Sequence, residues 1–284
     1  MPNLIILSHF AVKPLLDARR AGQALARTSL DLALTEVDVA LDAEGVTLPD
    51  GQGLPWPVVE EIAENEVACY RIEDGEAYKI QRFSEAMGRV YTLMPTRRAP
   101  TMLISGIPMH RVKDVDPTED TRRKIRAAAP RGRTLDTATG LGYTAIAAAR
   151  RAETDSVITI EIDPTGLEIA RLNPWSGELF DNPKIQQVIG DSFDVVETFD
   201  DDSFSTIIHD PPIMSLAGDL YSTDMYRALH RILKRSGRLF HYIGGPRREN
   251  GEQRHAREMM RRCKRPGFSR IDRRPEAFGG VAYK

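Results

Sequence analysis

Residues 135–144 of this 284-residue chain read LDTATGLGYT, an apolar start followed by an acid, threonines and two glycines. Gly140 and Gly142 let the backbone turn sharply and pass close to a bound molecule. The segment 143–151 is rich in alanine and favours a helix, whose N-terminus attracts negatively charged or hydrogen-bond-accepting groups. The stretch therefore predicts a strand at 134–137, a glycine turn and a helix at 143–151. Taken alone, it also fits a tight turn that binds no ligand.

Downstream of this stretch, short apolar segments alternate with amphipathic ones. Alternation of this length is typical of a parallel sheet covered by helices on both faces. The domain begins with a helix over residues 116–129, because Asp116 is a favoured cap and Pro117 a favoured first helical residue. After the stretch we expect helices at 164–172, 223–234 and 254–264, and strands at 157–162, 185–189, 206–209, 238–243, 269–272 and 281–283.

Residues 1–115 have a different pattern, with many short strands. Asp74-Gly75 predicts a hairpin between segments 68–72 and 77–83. We expect a small α+β domain with one antiparallel sheet over residues 1–115, acting as a lid or a substrate-binding module, and a catalytic domain over residues 116–284. The further predicted elements of the N-terminal part are helices at 15–26 and 58–66, and strands at 29–34, 37–41, 46–48, 89–94 and 101–105.

Composition narrows the class of protein. The chain is 41% apolar and 28% charged, which is ordinary for a soluble globular protein. No apolar run approaches the roughly 18 residues that span a bilayer. The two cysteines, Cys69 and Cys263, match no metal-binding or redox spacing. We therefore expect a cytoplasmic protein with no structural metal and no membrane partner.

The net charge of −2 conceals an asymmetry along the chain. Residues 231–284 contain 16 Lys and Arg against 5 Asp and Glu, a local +11, and the rest of the chain carries −13. A basic segment on an acidic body favours an anionic partner, most plausibly RNA, although a solvated face is the alternative. Arg247 and Arg248, which follow the fifth predicted strand, are the candidate substrate contacts, with Arg254 and Arg257 on the next helix.

Three further acids stand where predicted strands end. Glu161 lies 19 residues after Gly142, a spacing at which a carboxylate accepts hydrogen bonds from two ribose hydroxyls. Asp191 in Gly190-Asp191-Ser192 is placed to accept from an exocyclic amine such as that of adenine. Asp210 precedes Pro211-Pro212, whose rings fix a rigid exit from the sheet. All three lie at the carboxyl edge, where open α/β sheets bind ligands.

In this order the motifs resemble those of class I S-adenosylmethionine-dependent methyltransferases, which have a Rossmann-like, mostly parallel sheet of seven strands. The resemblance covers about 165 residues. At 135–146, 173–176, 209–212 and 237–244 the chain also resembles a largely archaeal family of predicted methyltransferases. The resemblance implies S-adenosyl-L-methionine as cofactor and a catalytic motif at Asp210, Pro211 and Pro212. Tyr221 is a further candidate for substrate contact. The cofactor-binding residues that it implies are Asp136, Thr139, Gly140, Gly142, Tyr143, Glu161, Asp191 and Ser192.

Two residues depart from the family pattern. Ala138 replaces the first glycine of the turn, which many members tolerate. Ile213 stands where enzymes that methylate base amines commonly have a stacking aromatic residue, which weakens a base-amine assignment. A small-molecule methyltransferase is thus the main alternative to an RNA methyltransferase. An aminopropyltransferase shares the fold but usually has three adjacent glycines in the turn, and a binding module with a vestigial cofactor site is the non-enzymatic alternative. His209 is adjacent to Asp210 in a strand, so the two side chains face opposite ways and His209 favours a structural role.

Overall fold

The computed structural model describes residues 4–113, 115–214, 216–243, 261–262 and 266–284. They divide into two units. The first unit is formed by the residues up to Thr118 together with Thr165–Gly177, and the second by Glu119–Pro164 together with the residues from Glu178 onward.

The first unit is built from short strands and two helices. Its apolar core collects residues of both helices with those of the surrounding strands, among them Val12, Leu15, Leu54 and Val59, all fully buried. The elements are β1 (Ile5–Leu7), α1 (His9–Arg20), β2 (Leu25–Thr28), β3 (Val37–Leu41), β4 (Gly45–Thr47), β5 (Gly53–Pro55), α2 (Trp56–Glu64), β6 (Tyr70–Glu73), β7 (Glu76–Lys79), β8 (Gln81–Ser84), β9 (Arg89–Met94), β10 (Thr101–Ile104) and β11 (Ile107–Pro108). The strands form three antiparallel sheets, ordered β1-β6-β7, β2-β3-β4-β5 and β11-β10-β9-β8.

The structure corrects three predictions for this unit. Three small sheets replace the single expected one, because the strands are too short to extend one ladder. The helix expected at 15–26 begins at His9 and ends at Arg20, where Gly22 turns the chain with a φ of 64°. No strand forms at 29–34, since the Asp31 carboxylate accepts the backbone N–H groups of Leu34 and Thr35 and closes a turn. The Asp74-Gly75 hairpin between β6 and β7 is confirmed.

From residue 117 onward the chain alternates strands and helices. The elements are α3 (Pro117–Ala128), β12 (Gly132–Asp136), α4 (Tyr143–Ala149), β13 (Thr154–Glu161), α5 (Pro164–Arg171), α6 (Gly177–Asp181), β14 (Ile185–Ile189), α7 (Ser192–Glu197), β15 (Phe204–His209), α8 (Thr223–Ile232), β16 (Leu233–Tyr242), β17 (Arg270–Arg274) and β18 (Gly279–Tyr283). The sheet order is β14-β13-β12-β15-β16-β18-β17. β12 to β16 pair in parallel, and β18 is antiparallel to both of its neighbours. The predicted Rossmann-like sheet of seven mostly parallel strands is confirmed.

Helix α8 illustrates why this pattern folds as it does. Its buried residues Met225, Tyr226, Leu229 and Ile232 recur at helical spacing and join one apolar core with the central strands. Ser222 caps the helix, because its hydroxyl oxygen accepts the N–H of Met225 at 3.0 Å. Burying such an apolar stripe against the sheet supplies most of the stability of a short helix.

Candidate functional site

The candidate site lies at the carboxyl edge of the sheet, between β12 and β15. These two strands are neighbours, and the chain continues from them toward opposite ends of the sheet. Such a switch in strand order opens a crevice above the strand ends, where doubly wound sheets bind ligands. Asp136, the last residue of β12, pairs with Ile208 of β15, so Asp210 emerges beside it.

The predicted glycine turn joins β12 to α4 and is anchored to the next strand. The N–H of Thr139 donates to the carbonyl of Ile160 at 2.9 Å, and its hydroxyl contacts that of Thr159 at 2.7 Å. Gly140 and Gly142 have φ angles of 52° and 78°, a region that favours glycine. An added Cβ on Gly140 would meet no atom of the described residues within 4 Å, so these residues leave open space beside the turn.

The two glycines are expected to respond differently to alanine. A Cβ on Gly142 would lie 2.7 Å from Cδ2 of Leu179, whose side chain is fully buried and has little room to move. We expect Gly142→Ala to lose about 2–4 kcal/mol of unfolding free energy, and Gly140→Ala only about 1 kcal/mol from backbone strain. Urea unfolding of both variants measures the difference, and equal losses would contradict the role given to Leu179.

Glu161 ends β13 and is held by the glycine turn. Its Oε2 accepts the N–H of Gly140 at 2.9 Å, and its Oε1 accepts the N–H of Asp163 at 3.3 Å. Burial of the carboxyl group raises the pKa of Glu161 to about 7, against the lowering effect of these hydrogen bonds. The acid and the turn that the sequence predicted as one site are therefore directly joined.

Asp136 is fully buried beneath the same turn. Its Oδ2 accepts hydrogen bonds from the hydroxyls of Thr144 at 2.9 Å and Thr159 at 3.1 Å. Burial first, and then the nearby charge of Asp210, raise the pKa of Asp136 to about 7. The carboxylate also accepts the backbone N–H of Ala138, which lowers its pKa against the effect of burial. Asp136 therefore links the glycine turn to α4 and β13.

The Gly190-Asp191-Ser192 turn places its two polar side chains differently. Asp191 is exposed, and its Oδ1 accepts the N–H of Phe193 at 2.8 Å as the cap of α7. The Ser192 hydroxyl is buried and donates to the carbonyl of Thr137 at 2.5 Å, which ties this turn to the glycine turn. Tyr143, the first residue of α4, is 7% exposed.

Sequence reasoning missed two apolar residues at this edge. Ile162 follows Glu161, and Ile189 pairs with Glu161 across the β13–β14 ladder. They remain 46% and 50% exposed, although isoleucine is among the residues most often buried. Their position directly beside a strand-end acid is the signal that would have identified them, and such a surface suits a flat apolar group such as an adenine ring.

Asp210 is held by a lysine that sequence reasoning also missed. Its Oδ2 accepts a hydrogen bond from Nζ of Lys124 at 2.7 Å, and the same ammonium lies 2.8 Å from the carboxylate of Asp120. Burial alone would lower the pKa of Lys124, but the two carboxylates outweigh it and raise that pKa. The hydroxyl of Tyr221 donates to the carbonyl of Pro212 at 2.8 Å and lies 3.4 Å from that of Pro211, so it braces the turn after Asp210.

His209 is fully buried and both of its ring nitrogens are engaged. Nε2 lies 2.8 Å from the carbonyl of Leu220, an acceptor, so this nitrogen carries the proton. Nδ1 then accepts from the hydroxyl of Thr137 at 2.8 Å. Burial, followed by the neighbouring His241, lowers the pKa of His209 well below its usual range. With no free lone pair, His209 supports the strand and offers no general base.

Some predicted features of the site lie outside the described residues. These include Arg247 and Arg248, as well as Arg254 and Arg257 of the predicted helix at 254–264. Arg262, which is described, donates to the carbonyl of Tyr221 at 2.5 Å. In the described ranges no group of three His, Cys, Asp or Glu side chains is arranged to hold a metal ion. Over the same residues, no helix has the length and apolar character needed to cross a bilayer.

Comparison with known proteins places these features in a family. The family model described as the methyltransferase small domain matches residues 122–250. An uncharacterised protein of Methanocaldococcus jannaschii is 42% identical over 262 residues, covering 90% of this chain and 88% of the relative. Two solved spermidine synthases, one from Thermotoga maritima and one in complex with a transition-state analogue, have TM-scores of 0.56 and 0.57 at 18% and 19% identity. Each covers 71% of this chain, with 70% and 71% of the synthase chains matched, and this likeness shows the fold alone.

Proposed function

We propose that this chain, which belongs to the class I S-adenosylmethionine-dependent methyltransferases in one family with the Methanocaldococcus jannaschii protein, methylates a nitrogen atom of RNA. The observation that carries the nitrogen assignment is the position of Asp210. Its carboxylate stands at the carboxyl edge beside the glycine turn, is anchored through one oxygen, and keeps 16% of its side chain exposed. A carboxylate held in this way is suited to accept an N–H of an incoming amine.

The residues around the glycine turn fit S-adenosylmethionine. The open space beside Gly140 leaves room for its methionine part. Glu161 would accept the ribose hydroxyls, and exposed Asp191 the adenine amine. When bound, the cofactor supplies an activated methyl group whose bond to sulfur breaks, leaving the electron pair on sulfur, as the bond to the acceptor forms.

The protein's own part in the reaction is to align the acceptor. Asp210 would take one N–H of the acceptor as a hydrogen bond, and the backbone carbonyl of Pro211, which Tyr221 approaches only at 3.4 Å, would take a second. His209 has no free lone pair with which to take a proton from the acceptor, so an acceptor that is nucleophilic in its neutral form fits this site. A neutral amine meets this requirement, and positioning alone supplies a large share of such an acceleration.

The charge distribution supports RNA as the molecule that carries this nitrogen. Residues 231–284, which include strands β16 to β18, have a net charge of +11, and a segment with this charge suits a phosphate backbone. Methyl-tritiated S-adenosylmethionine tests this directly, with total RNA and the small-molecule fraction of Methanocaldococcus jannaschii cells as separate acceptors. Label in RNA supports the proposal, whereas label confined to the small-molecule fraction would replace it with a small-molecule methyltransferase.

Binding of total RNA is expected to weaken steeply as salt rises. Each phosphate contact contributes about −0.7 to −0.9 to the slope of log affinity against log salt concentration. Replacing four arginines of the basic segment by glutamine should flatten that slope by about 3 units and leave cofactor binding unchanged. The four are Arg247, Arg248, Arg254 and Arg257.

A variant with the same change in charge serves as the control for this measurement. It replaces four exposed arginines of the second unit that lie outside the basic segment by glutamine, namely Arg122, Arg126, Arg150 and Arg227. Filter binding between low and moderate salt should give the control the slope of the parent protein. If both variants bind RNA as the parent does, the basic segment does not contact RNA and the RNA assignment falls.

A further inference from the structure

Lys124 is a lysine side chain buried to 2% exposure next to the proposed reacting centre. It lies on α3, before the glycine turn, and 86 positions before Asp210 in the chain. Its ammonium is 2.7 Å from the carboxylate of Asp210, 2.8 Å from that of Asp120, and 4.2 Å from the centre of the Tyr242 ring. An ammonium has three N–H donors, and here the two carboxylates and the aromatic ring surround it.

The pair formed within α3 would by itself neutralise the lysine. Asp120 and Lys124 are four residues apart on one helix and are equally buried, each with 2% of its side chain exposed. Asp210 is therefore a second carboxylate bound to the Lys124 ammonium, whose charge Asp120 already balances. Removing a lysine from water is costly, and this cost is offset only when carboxylates pair with its charge. Its effect is to tie one oxygen of Asp210 to a helix outside the strand that carries it.

We propose that Lys124 is a positioning residue for methyl transfer, which fixes Oδ2 of Asp210 so that the carboxylate presents its other oxygen to the acceptor. This inference rests on the proposed function of Asp210. The carboxylate would otherwise rotate about its side-chain bonds, since its backbone is followed by two prolines that fix only the main chain. After the methyl group has been transferred, the acceptor nitrogen loses a proton to water.

The crystal structure of Lys124→Met tests the positioning directly and needs no acceptor. Methionine keeps the length of the side chain and removes the ammonium. We expect the Asp210 carboxylate to adopt a different side-chain orientation in the variant. An Asp210 carboxylate that keeps its position within about 0.5 Å would overturn the proposal, because this is the tolerance within which functional groups must be held.

Kinetics provide the second measurement. Methyl transfer to the acceptor fraction that the parent protein labels should fall about 100-fold in Lys124→Met, as expected when a contact of the reacting atoms is misplaced by about 1 Å. Cofactor affinity should stay within threefold of the parent value, which corresponds to a change of ~0.6 kcal/mol in binding free energy. Lys184→Met is the matched control, since Nζ of Lys184 donates only to backbone carbonyls, those of Thr154 and Arg151 at 2.7 and 3.4 Å, among the described residues. It should retain the parent rate.

A truncated variant separates positioning from folding. Lys124→Ala lacks the atoms of one n-propylammonium ion. Adding that ion should raise the methyl-transfer rate of the variant at least tenfold, whereas tetramethylammonium at equal ionic strength should leave it unchanged. A Lys124→Met protein that binds cofactor normally and transfers methyl at a third of the parent rate or more would refute the role of Lys124. A parent protein that binds no S-adenosylmethionine would instead refute the proposed function, and the orientation of Asp210 in the variant would still decide the role of Lys124.

Discussion

Asp210→Ala is expected to reduce methyl transfer by about 1000-fold, the upper range for losing one hydrogen-bonding group at a reacting centre. The alanine variant removes the only exposed carboxylate of the Asp120–Lys124–Asp210 cluster. Cofactor affinity should change by less than about threefold, because the lost group contacts the acceptor rather than the donor. Single-turnover methyl transfer and calorimetry with S-adenosylmethionine measure the two quantities.

Asp210→Asn provides the internal comparison for this result. The amide keeps the shape of the side chain and one acceptor oxygen, but it has no charge to pair with Lys124. We expect an activity between those of the parent protein and Asp210→Ala, with a melting temperature closer to the parent value. If the alanine variant instead turned over at the parent rate, the Asp210-Pro211-Pro212 motif would be only a rigid exit from β15.

Glu161→Ala should weaken cofactor binding by about 100-fold or more. Two hydrogen bonds from ribose hydroxyls to a carboxylate are worth about 1.5–3 kcal/mol each. The variant also leaves the N–H of Gly140 without the acceptor that it has at 2.9 Å. Calorimetry of the folded variant measures the loss, and an unchanged affinity would exclude Glu161 from the cofactor site.

The same residue gives the binding a predictable dependence on pH. Burial raises the pKa of Glu161 to about 7, and the ribose hydroxyls donate to the ionised form. Affinity should therefore be full above pH 7 and fall up to tenfold per unit below it, where the apoprotein holds the proton. The pKa of Asp136 is raised to about 7 as well, so Glu161→Gln should remove part of the dependence. A Gln variant with the pH profile of the parent would show that Glu161 does not titrate on binding.

The local sequence pattern was sufficient to predict the strands of the seven-stranded sheet. The helix begins at Pro117 as its cap and proline predict, and the strand at 185–189 has the predicted bounds. Short helices are the exception, because α6 and α7 have five and six residues and show too little periodicity to be recognised. In the N-terminal part, side-chain bonds such as those of Asp31 decided between strand and turn, and apolar pattern does not reveal them.

Among the described residues from 117 onward, the amino-acid sequence by itself determined the order of the strands and of the helices other than α6 and α7, the glycine turn, and the acids that end the strands. These follow from interactions between residues near each other in the chain, such as caps, turns and periodic burial. Only the tertiary structure decided that Lys124 meets Asp210, that Ser192 ties its turn to Thr137, and that both nitrogens of His209 are engaged. The physical reason is that a buried charge or ring takes whatever partner folding brings within 3 Å, and no local pattern records a partner 55 to 86 residues away.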